Sequence, residues 1–376
     1  MIEFNRPYLS GKELTYIQEA VGNRWISGNG PFTKRCQSFF EDRYGFNKCL
    51  LTSSCTDALE MAAILLDLKP GDEVIFPSFT FVSTVNAFLL RGVKAVFADS
   101  YTDHPNIDPQ EIRALVTSKT KAIVVVHYGG AACDMEEIAK IAKEHQLLLV
   151  EDAAHAIDSF YLGKPLGSFG HVSTFSFHET KNIICGEGGM LVVNDKKLEQ
   201  RAEIIWEKGT NRTAFYRGEV DKYGWVDVGS SFLPSDVTAA FLMAQLECLD
   251  EIQTMRKSIV SRYHEALSSL SEKGAIETIK PGKFATENGH LFAMVLPNEG
   301  IRKSLIVYLR EKNIFPAFHY QSLHKSTFFE SQHDGRNLPN ADKFTDGLLR
   351  LPVHCAITSG NIDEICQHII AFFDGK

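Results

Sequence analysis

Phe175-Ser-Phe-His-Glu-Thr-Lys-Asn182, followed after two isoleucines by Cys185-Gly-Glu-Gly-Gly189, is the stretch on which the fold turns. Its lysine, Lys181, sits among aromatic, apolar and glycine residues. A lysine has a reference pKa of about 10.4 and becomes a nucleophile only where burial or a neighbouring cation lowers that value. Two readings are open for Lys181: a surface lysine in the loop after a strand, or a Schiff-base lysine. What weighs toward the second lies upstream. Leu147-Leu-Leu-Val-Glu151-Asp152 is an apolar run that ends in two acids. An aspartate at the end of a buried strand can keep a pyridinium nitrogen protonated, which is the partner that pyridoxal phosphate (PLP) needs as an electron sink. The interval from Asp152 to Lys181 leaves room for a strand–loop–strand return.

Outward from these two residues the pattern repeats. Residues 93–99, 121–128 and 146–152 are continuous apolar runs, separated by helix-length segments such as 134–143. Such runs alternating with helices predict buried parallel strands in an α/β sheet, with ligands beyond the carboxyl ends of the strands. His127, Asp152 and His155 fall at such ends; a histidine placed like His127 is more often a satisfied loop histidine than a catalyst. From Cys49 a short strand turns through hydroxyl residues into a long apolar helix. Ser54 lies three residues before Asp57, as in a capping pair. A helix N-terminus of this kind either is plainly capped or binds an anion. With Lys181 and Asp152 present, Ser54, Cys55 and Thr56 are assigned to a cofactor phosphate.

Further helices are expected at 12–22, 33–44, 83–90, 197–207, 301–312 and 361–373, and one long helical stretch at 235–263. Strands are expected at 72–77, 172–177, from 190, at 288–296 and at 314–320. The loops fall at 25–31, 208–235 and 271–289 by their Gly, Pro, Asn and Lys content. At 376 residues the chain is too long for one compact core. Two domains are expected, 1–245 binding the cofactor with an N-terminal arm, and 246–376 as a smaller α/β unit. A formal net charge of −8 argues against nucleic acid as a partner. The eight cysteines form no CxxC or Cys/His zinc spacing, so no metal is expected and the thiols read as reduced and cytoplasmic. The N-terminus is unlike a signal peptide, and no apolar run approaches a membrane span.

Taken in order, the motifs resemble the DegT/DnrJ/EryC1/StrS aminotransferase family over nearly the whole chain. They are Trp25-Ile-Ser-Gly28, Thr56-Asp-Ala-Leu59, Pro77-Ser-Phe-Thr-Phe81, Val126-His-Tyr-Gly-Gly130, Glu151-Asp-Ala-Ala-His155, Ser176-Phe-His-Glu-Thr-Lys181, Gly186-Glu-Gly-Gly189 and Phe318-His-Tyr-Gln-Ser-Leu-His324. The resemblance implies the fold type I architecture of PLP-dependent transferases, like aspartate aminotransferase, with a mostly parallel central sheet. It makes Lys181 and Asp152 catalytic, Phe81 the aromatic over the cofactor ring, His155 a neighbour of its phenolic oxygen, and Ser176 and Ser231 phosphate contacts. Cys55 and Ser231 depart from the family's usual Gly and Asn. It places Ser27, Gly28, His127, Arg212, His319 and Tyr320 on the substrate side, with the 208–235 loop reaching into the partner subunit of a homodimer.

The stretches Glu207-Lys-Gly-Thr-Asn-Arg212, Asp221-Lys-Tyr223 and Gly229-Ser-Ser231 resemble the branch that makes dTDP-4-amino-4,6-dideoxygalactose for enterobacterial common antigen. That implies transamination of dTDP-4-dehydro-6-deoxyglucose with glutamate as donor. Amination at C3 or with the other C4 stereochemistry is a rival within the class. So is the branch that dehydrates sugars with histidine in place of the lysine, against which Lys181 speaks. From another class, a non-catalytic PLP-binding regulator is the alternative.

Overall fold

The structure, a computed structural model, describes residues 1–282 and 284–375. After α1 (Glu13–Gly22) and α2 (Pro31–Tyr44) the chain alternates strand and helix. The order is β1 (Cys49–Thr52), α3 (Cys55–Leu65), β2 (Glu73–Pro77), α4 (Ser83–Leu89), β3 (Lys94–Ala98), α5 (Pro109–Leu115), β4 (Thr120–Val126), α6 (Met135–Glu144) and β5 (Leu148–Asp152). A two-stranded ribbon, β6 (Phe160–Tyr161) and β7 (Lys164–Pro165), precedes β8 (Val172–Ser176) and β9 (Gly189–Val193). The central sheet has the order β1-β9-β8-β5-β4-β2-β3. All its pairings are parallel except those of β9, which runs antiparallel to both β1 and β8. The expected mostly parallel sheet is therefore present, and β9 is the strand that returns the chain after Lys181.

Strand pleating decides what faces the site. Ile75, Ile123, Val125 and Leu149 join the core under α2, α5 and α6. Val74, Phe76, Val124 and Val150 join the opposite core, under α3 and α4. Neighbouring residues on a strand point to opposite faces, so the two terminal acids of β5 part company. Glu151 turns to the first face, where its carboxylate accepts from the Gly167, Phe169 and Gly170 N–H groups at 2.6–2.8 Å and from His127 Nε2 at 3.0 Å. Asp152 turns to the other face.

Helix α7 (Glu199–Trp206) and the short α8 (Arg212–Tyr216) lead to α9 (Asp236–Leu246) and α10 (Leu249–Ala266). The single helix expected over 235–263 is thus broken between Leu246 and Leu249, although neither Gly nor Pro marks the spot. The α9 segment packs on α1 and α2, while α10 packs on the C-terminal helix, and one straight rod could not serve both. After α11 (Ser268–Glu272) come β10 (Glu277–Thr278), β11 (Phe292–Val295), α12 (Glu299–Glu311), α13 (Pro339–Gly347), β12 (Leu348–Leu351) and α14 (Ser359–Asp374). The strand expected at 314–320 makes only isolated bridges, Ile2 to Ile314 and Ala317 to Arg350. The ladder position beside β11 belongs to β12, in the three-stranded order β10-β11-β12. Strands of the large sheet lie before residue 245 and those of the small sheet after it, yet Leu291, Ala293 and Val295 share a core with α3 and α4. No helix of the described residues is long and apolar enough to cross a membrane.

Candidate active site

The carboxyl ends of β1, β2, β5 and β8 open onto one cavity of about 460 Å³, within the range of small-molecule sites. Ser54, Cys55, Thr56, Phe81, Asp152, His155, Ser176, Lys181, His319 and Tyr320 all line it, ten of the residues singled out from sequence. Asp152, at the end of β5, and Lys181, from the loop after β8, share this space.

Lys181 sits on the loop between β8 and β9, where its N–H donates to His178 O at 2.9 Å. Its Nζ has no hydrogen-bond or ion-pair partner among the described residues. Burial pushes the amine down to about 8, Arg350 adds to the fall, and Cys55 and Asp152 oppose it. That favours the neutral amine by roughly 3 kcal/mol relative to a solvated lysine. The next residue fixes the loop. The buried Asn182 Nδ2 donates to Gln253 Oε1 (2.7 Å) and Asn288 O (2.9 Å), and its Oδ1 accepts from His290 Nδ1 (2.8 Å).

Asp152 Oδ2 accepts from Thr84 Oγ1 at 2.7 Å, and Oδ1 from the Ala154 N–H at 3.1 Å. Burial raises its pKa, against those two hydrogen bonds and the charge of Lys181. The carboxylate is thus fixed in place while its charge lacks full compensation, which suits a cationic ring nitrogen. His155 stacks on His290 with ring centroids 4.2 Å apart. Its Nδ1 accepts from the Gly129 N–H (3.2 Å), which puts the proton on Nε2, facing the Tyr320 hydroxyl at 3.4 Å. Burial lowers its pKa, so this is a neutral donor.

The first turn of α3 leaves the Cys55 and Thr56 N–H groups without partners among the described residues, as helix starts do. Ser54 does cap this helix, accepting from the Asp57 N–H at 3.0 Å, so the capping reading holds beside the anion reading. Thr56 Oγ1 donates to Ser83 Oγ (2.9 Å) at the cavity wall. Gly189 lets β9 close on this turn: a Cβ there would fall 2.4 Å from Cys55 N. Free N–H groups, the hydroxyls of Ser54, Thr56, Ser83 and Ser176, an aromatic ring 52% exposed at Phe81, a fixed carboxylate and an unpartnered lysine together fit PLP.

Other expectations fall elsewhere. His127 does not reach the cavity: both its nitrogens are used, Nε2 on Glu151 and Nδ1 by the Cys133 N–H (3.2 Å), and it is fully buried. The loop-histidine reading is the one its geometry matches. Ser27 and Gly28 lie outside the cavity. Gly28 packs so closely on Leu233 that a Cβ would sit 2.6 Å from its side chain. Arg212 pairs with Glu207 at 3.4 Å and Ser231 bridges to Glu207, both outside this chain's own cavity. Sequence reasoning missed Phe4, Thr84, His290 and Arg350, all of which line it. The signal for Arg350 was legible as a lone charge inside the apolar run Leu348-Leu-Arg-Leu351.

A site of this kind, with a buried lysine of lowered pKa sharing one cavity with a fixed carboxylate and an open helix N-terminus, defines an enzyme of amine chemistry. The chain belongs to the DegT/DnrJ/EryC1/StrS aminotransferase family, whose model matches residues 7–370. It is 30% identical over 377 residues to the spore coat polysaccharide biosynthesis protein SpsC of Bacillus subtilis (strain 168), spanning 98% of this chain and 96% of that protein. The aminotransferase TlmJ from Streptoalloteichus hindustanus matches with a TM-score of 0.91 and 28% identity over 100% of this chain and 99% of that one. The PMP form of Spr1654 from Streptococcus pneumoniae shares the fold, with a TM-score of 0.92 and 24% identity over 100% of both chains. As an aminotransferase the chain works with PLP, the cofactor that carries amino groups in such enzymes.

Proposed function

We propose that the chain moves the amino group of glutamate to the keto carbon of dTDP-4-dehydro-6-deoxyglucose, giving dTDP-4-amino-4,6-dideoxygalactose. The observation that carries the chemistry is that Lys181 and Asp152 line one cavity without pairing to each other. The sugar assignment is supported by the motifs of the 207–231 segment and by the polysaccharide role of SpsC.

When bound, PLP supplies an electron sink and carries the amino group between the two substrates. The chain's own groups do the rest. Asp152 holds positive charge on the ring nitrogen. His155 Nε2–H offers a donor at the cavity wall, and the Cys55 and Thr56 N–H groups take the phosphate. Phe81 offers a face for stacking. With its amine brought down to about 8, roughly a fifth of Lys181 Nζ is neutral at physiological pH. It accepts a proton from the donor Cα and later delivers one to the sugar carbon. One site serves the two substrates in turn, so the order is ping-pong.

A homodimer with shared sites completes the reading: Arg212 and Ser231 then act in the partner's cavity. The support is a surface otherwise hard to leave in water. Tyr216, Tyr223, Trp225, Val226 and Val228 are all exposed on the same segment, as interface residues are before association. We place the reaction in the cytoplasm, where the eight free cysteines remain reduced.

The test is chemical. Borohydride reduction of the PLP-loaded protein followed by peptide mass analysis should place the label on Lys181, and label elsewhere overturns the assignment. The amine-loaded form is then offered dTDP-4-dehydro-6-deoxyglucose and its 3-keto isomer. Return of the PLP colour with the first alone, and NMR of an axial 4-amino product, is the expected outcome. An equatorial or 3-amino product replaces the sugar assignment and leaves the chemistry standing.

A further inference from the structure

The chemistry proposed for Lys181, Asp152 and His155 leaves His290, which lines the same cavity and is 3% exposed, without a part in recognition. It stands two residues before β11, and its position is fixed three times over. Its N–H donates to Asn288 Oδ1 (3.0 Å), its carbonyl accepts from Arg256 Nη2 (2.8 Å), and its ring stacks on His155 with centroids 4.2 Å apart. The tautomer follows from Asn182. The Nδ2 of that amide donates to the Asn288 carbonyl, so the atom facing His290 is Oδ1, which can only accept. His290 Nδ1 therefore carries the proton. Burial first, then His155, Lys181, Arg350 and Arg256, holds the ring well below the ordinary histidine pKa. The ring is neutral, and a lone pair is left on Nε2. Nε2 has no partner among the described residues. It is not sealed inside the protein, as the unpartnered nitrogens of His104 and His354 are, and so it opens on the cavity. Other ring and carboxylate acceptors of the wall are engaged. Thr84 and Ala154 hold Asp152, Gly129 holds His155 Nδ1, Arg350 holds His319 Nδ1 (3.0 Å) and Thr180 holds His178 Nδ1 (2.9 Å). A fixed acceptor left open costs free energy until a donor meets it.

This inference rests on the proposed function, which brings two kinds of hydrogen-bond donor close to Lys181: the ammonium of the amino acid and the hydroxyls of the sugar. The cations that help to hold His290 neutral also oppose an arriving ammonium. A hydroxyl brings no charge to be opposed. The keto carbon has to reach Lys181, whose charge is close enough to act on His290. In a 4-keto-6-deoxy pyranose that carbon has two neighbours in the ring. C5 carries the methyl group and C3 carries a hydroxyl, so the C3 hydroxyl is the sugar donor nearest the reaction. We propose that His290 Nε2 accepts a hydrogen bond from the C3 hydroxyl of the keto sugar, and so selects sugars with a free hydroxyl beside the carbon to be aminated. A carboxylate in this place would also accept from a hydroxyl. It would pair with Lys181 as well, and return that amine toward its ordinary, charged state. A neutral imidazole recognises the hydroxyl and leaves the base alone.

The first experiment uses the wild-type holoenzyme, converted to its amine form with glutamate. It compares dTDP-4-dehydro-6-deoxyglucose with the analogue that lacks the C3 hydroxyl, read by return of the PLP colour. The analogue should lose about thirtyfold in kcat/KM. Equal use of the two sugars overturns this inference and leaves the proposed function standing. If the parent sugar restores no colour, the proposed function falls and this inference with it. The second experiment takes the parent-to-analogue ratio of kcat/KM in two variants, so that any general loss from disturbing the Lys181 loop cancels. His290→Asn keeps an N–H for Asn182 near the place of Nδ1 and removes Nε2, and its ratio should fall to near one. His290→Gln sets an amide oxygen near the place of Nε2 and should recover part of the ratio. A wild-type ratio in His290→Asn, or no recovery in His290→Gln, overturns the acceptor role.

Discussion

The cavity floor and the 208–231 loop satisfy their side chains in opposite ways. On the floor the chain answers itself: Thr84 holds Asp152, Asn182 fixes the Lys181 loop through Gln253, Asn288 and His290, and Gly129 sets the His155 tautomer. On the loop, Trp225 is 84% exposed, with its Nε1–H turned back to Asp227 O (2.7 Å). Arg212 spreads over the exposed Tyr216 ring and its nearest carboxylate is 3.4 Å away. One region has its geometry fixed by internal hydrogen bonds. The other holds apolar and cationic groups outward, where only a second surface can desolvate them. Chemistry that needs atoms fixed to fractions of an ångström belongs to the first region, and recognition of a large substrate can be left to the second.

The severest way to break this contrast is at its most fixed point. Lys181→Ala should abolish turnover and covalent cofactor attachment, checked by coupled assay and by borohydride labelling. Residual turnover above that of free PLP would mean the floor does not house the base. A pH series on the wild-type apoprotein sharpens the point. The neutral amine is the nucleophile, and burial sets it near 8. The rate of PLP capture should therefore rise with pH and level off above about 8. A rise continuing past pH 10 would describe a solvated lysine.

Asp152→Asn is the next largest. The amide keeps the shape and can still bond Thr84, but it cannot hold a cationic ring nitrogen. PLP should remain attached while kcat falls by about 10²–10³. Near-normal kcat would show that the floor works as a mould and not through its charge.

How far this was readable in advance follows the same division. Lys181 and Asp152 were legible because each stands beside a strand whose apolar run announces itself, and parallel strands put their ends together. The hydroxyl-rich start of α3 was legible for the same reason. His290, Asn182 and Thr84 were not, since each acts through a partner distant in sequence, as Asn182 does on His290 at 2.8 Å. The strand Leu348–Leu351 was missed because Arg350 interrupts its apolar pattern, and the interruption was the informative part. His127 misled because position at a strand end does not fix direction. The Glu151 carboxylate on the far face claimed its ring. For the 208–231 loop, a single sequence gives composition and motif but not what covers it.

The smallest expected effect tests that surface. Arg212→Ala should raise the KM for the nucleotide sugar about tenfold and leave the glutamate half-reaction unchanged, because one partly exposed cation is removed from the diphosphate contact proposed for it. The variant alone cannot say whose cavity Arg212 serves. A hybrid dimer can, purified through different tags on a Lys181→Ala chain and an Arg212→Ala chain. Its only working lysine then belongs to the chain that lacks Arg212. If the loop acts across the interface, that lysine is served by the intact Arg212 of the other chain, and the hybrid shows the wild-type KM. If the loop acts on its own chain, the hybrid keeps the raised KM, and the division of labour between floor and loop is confined to a single subunit.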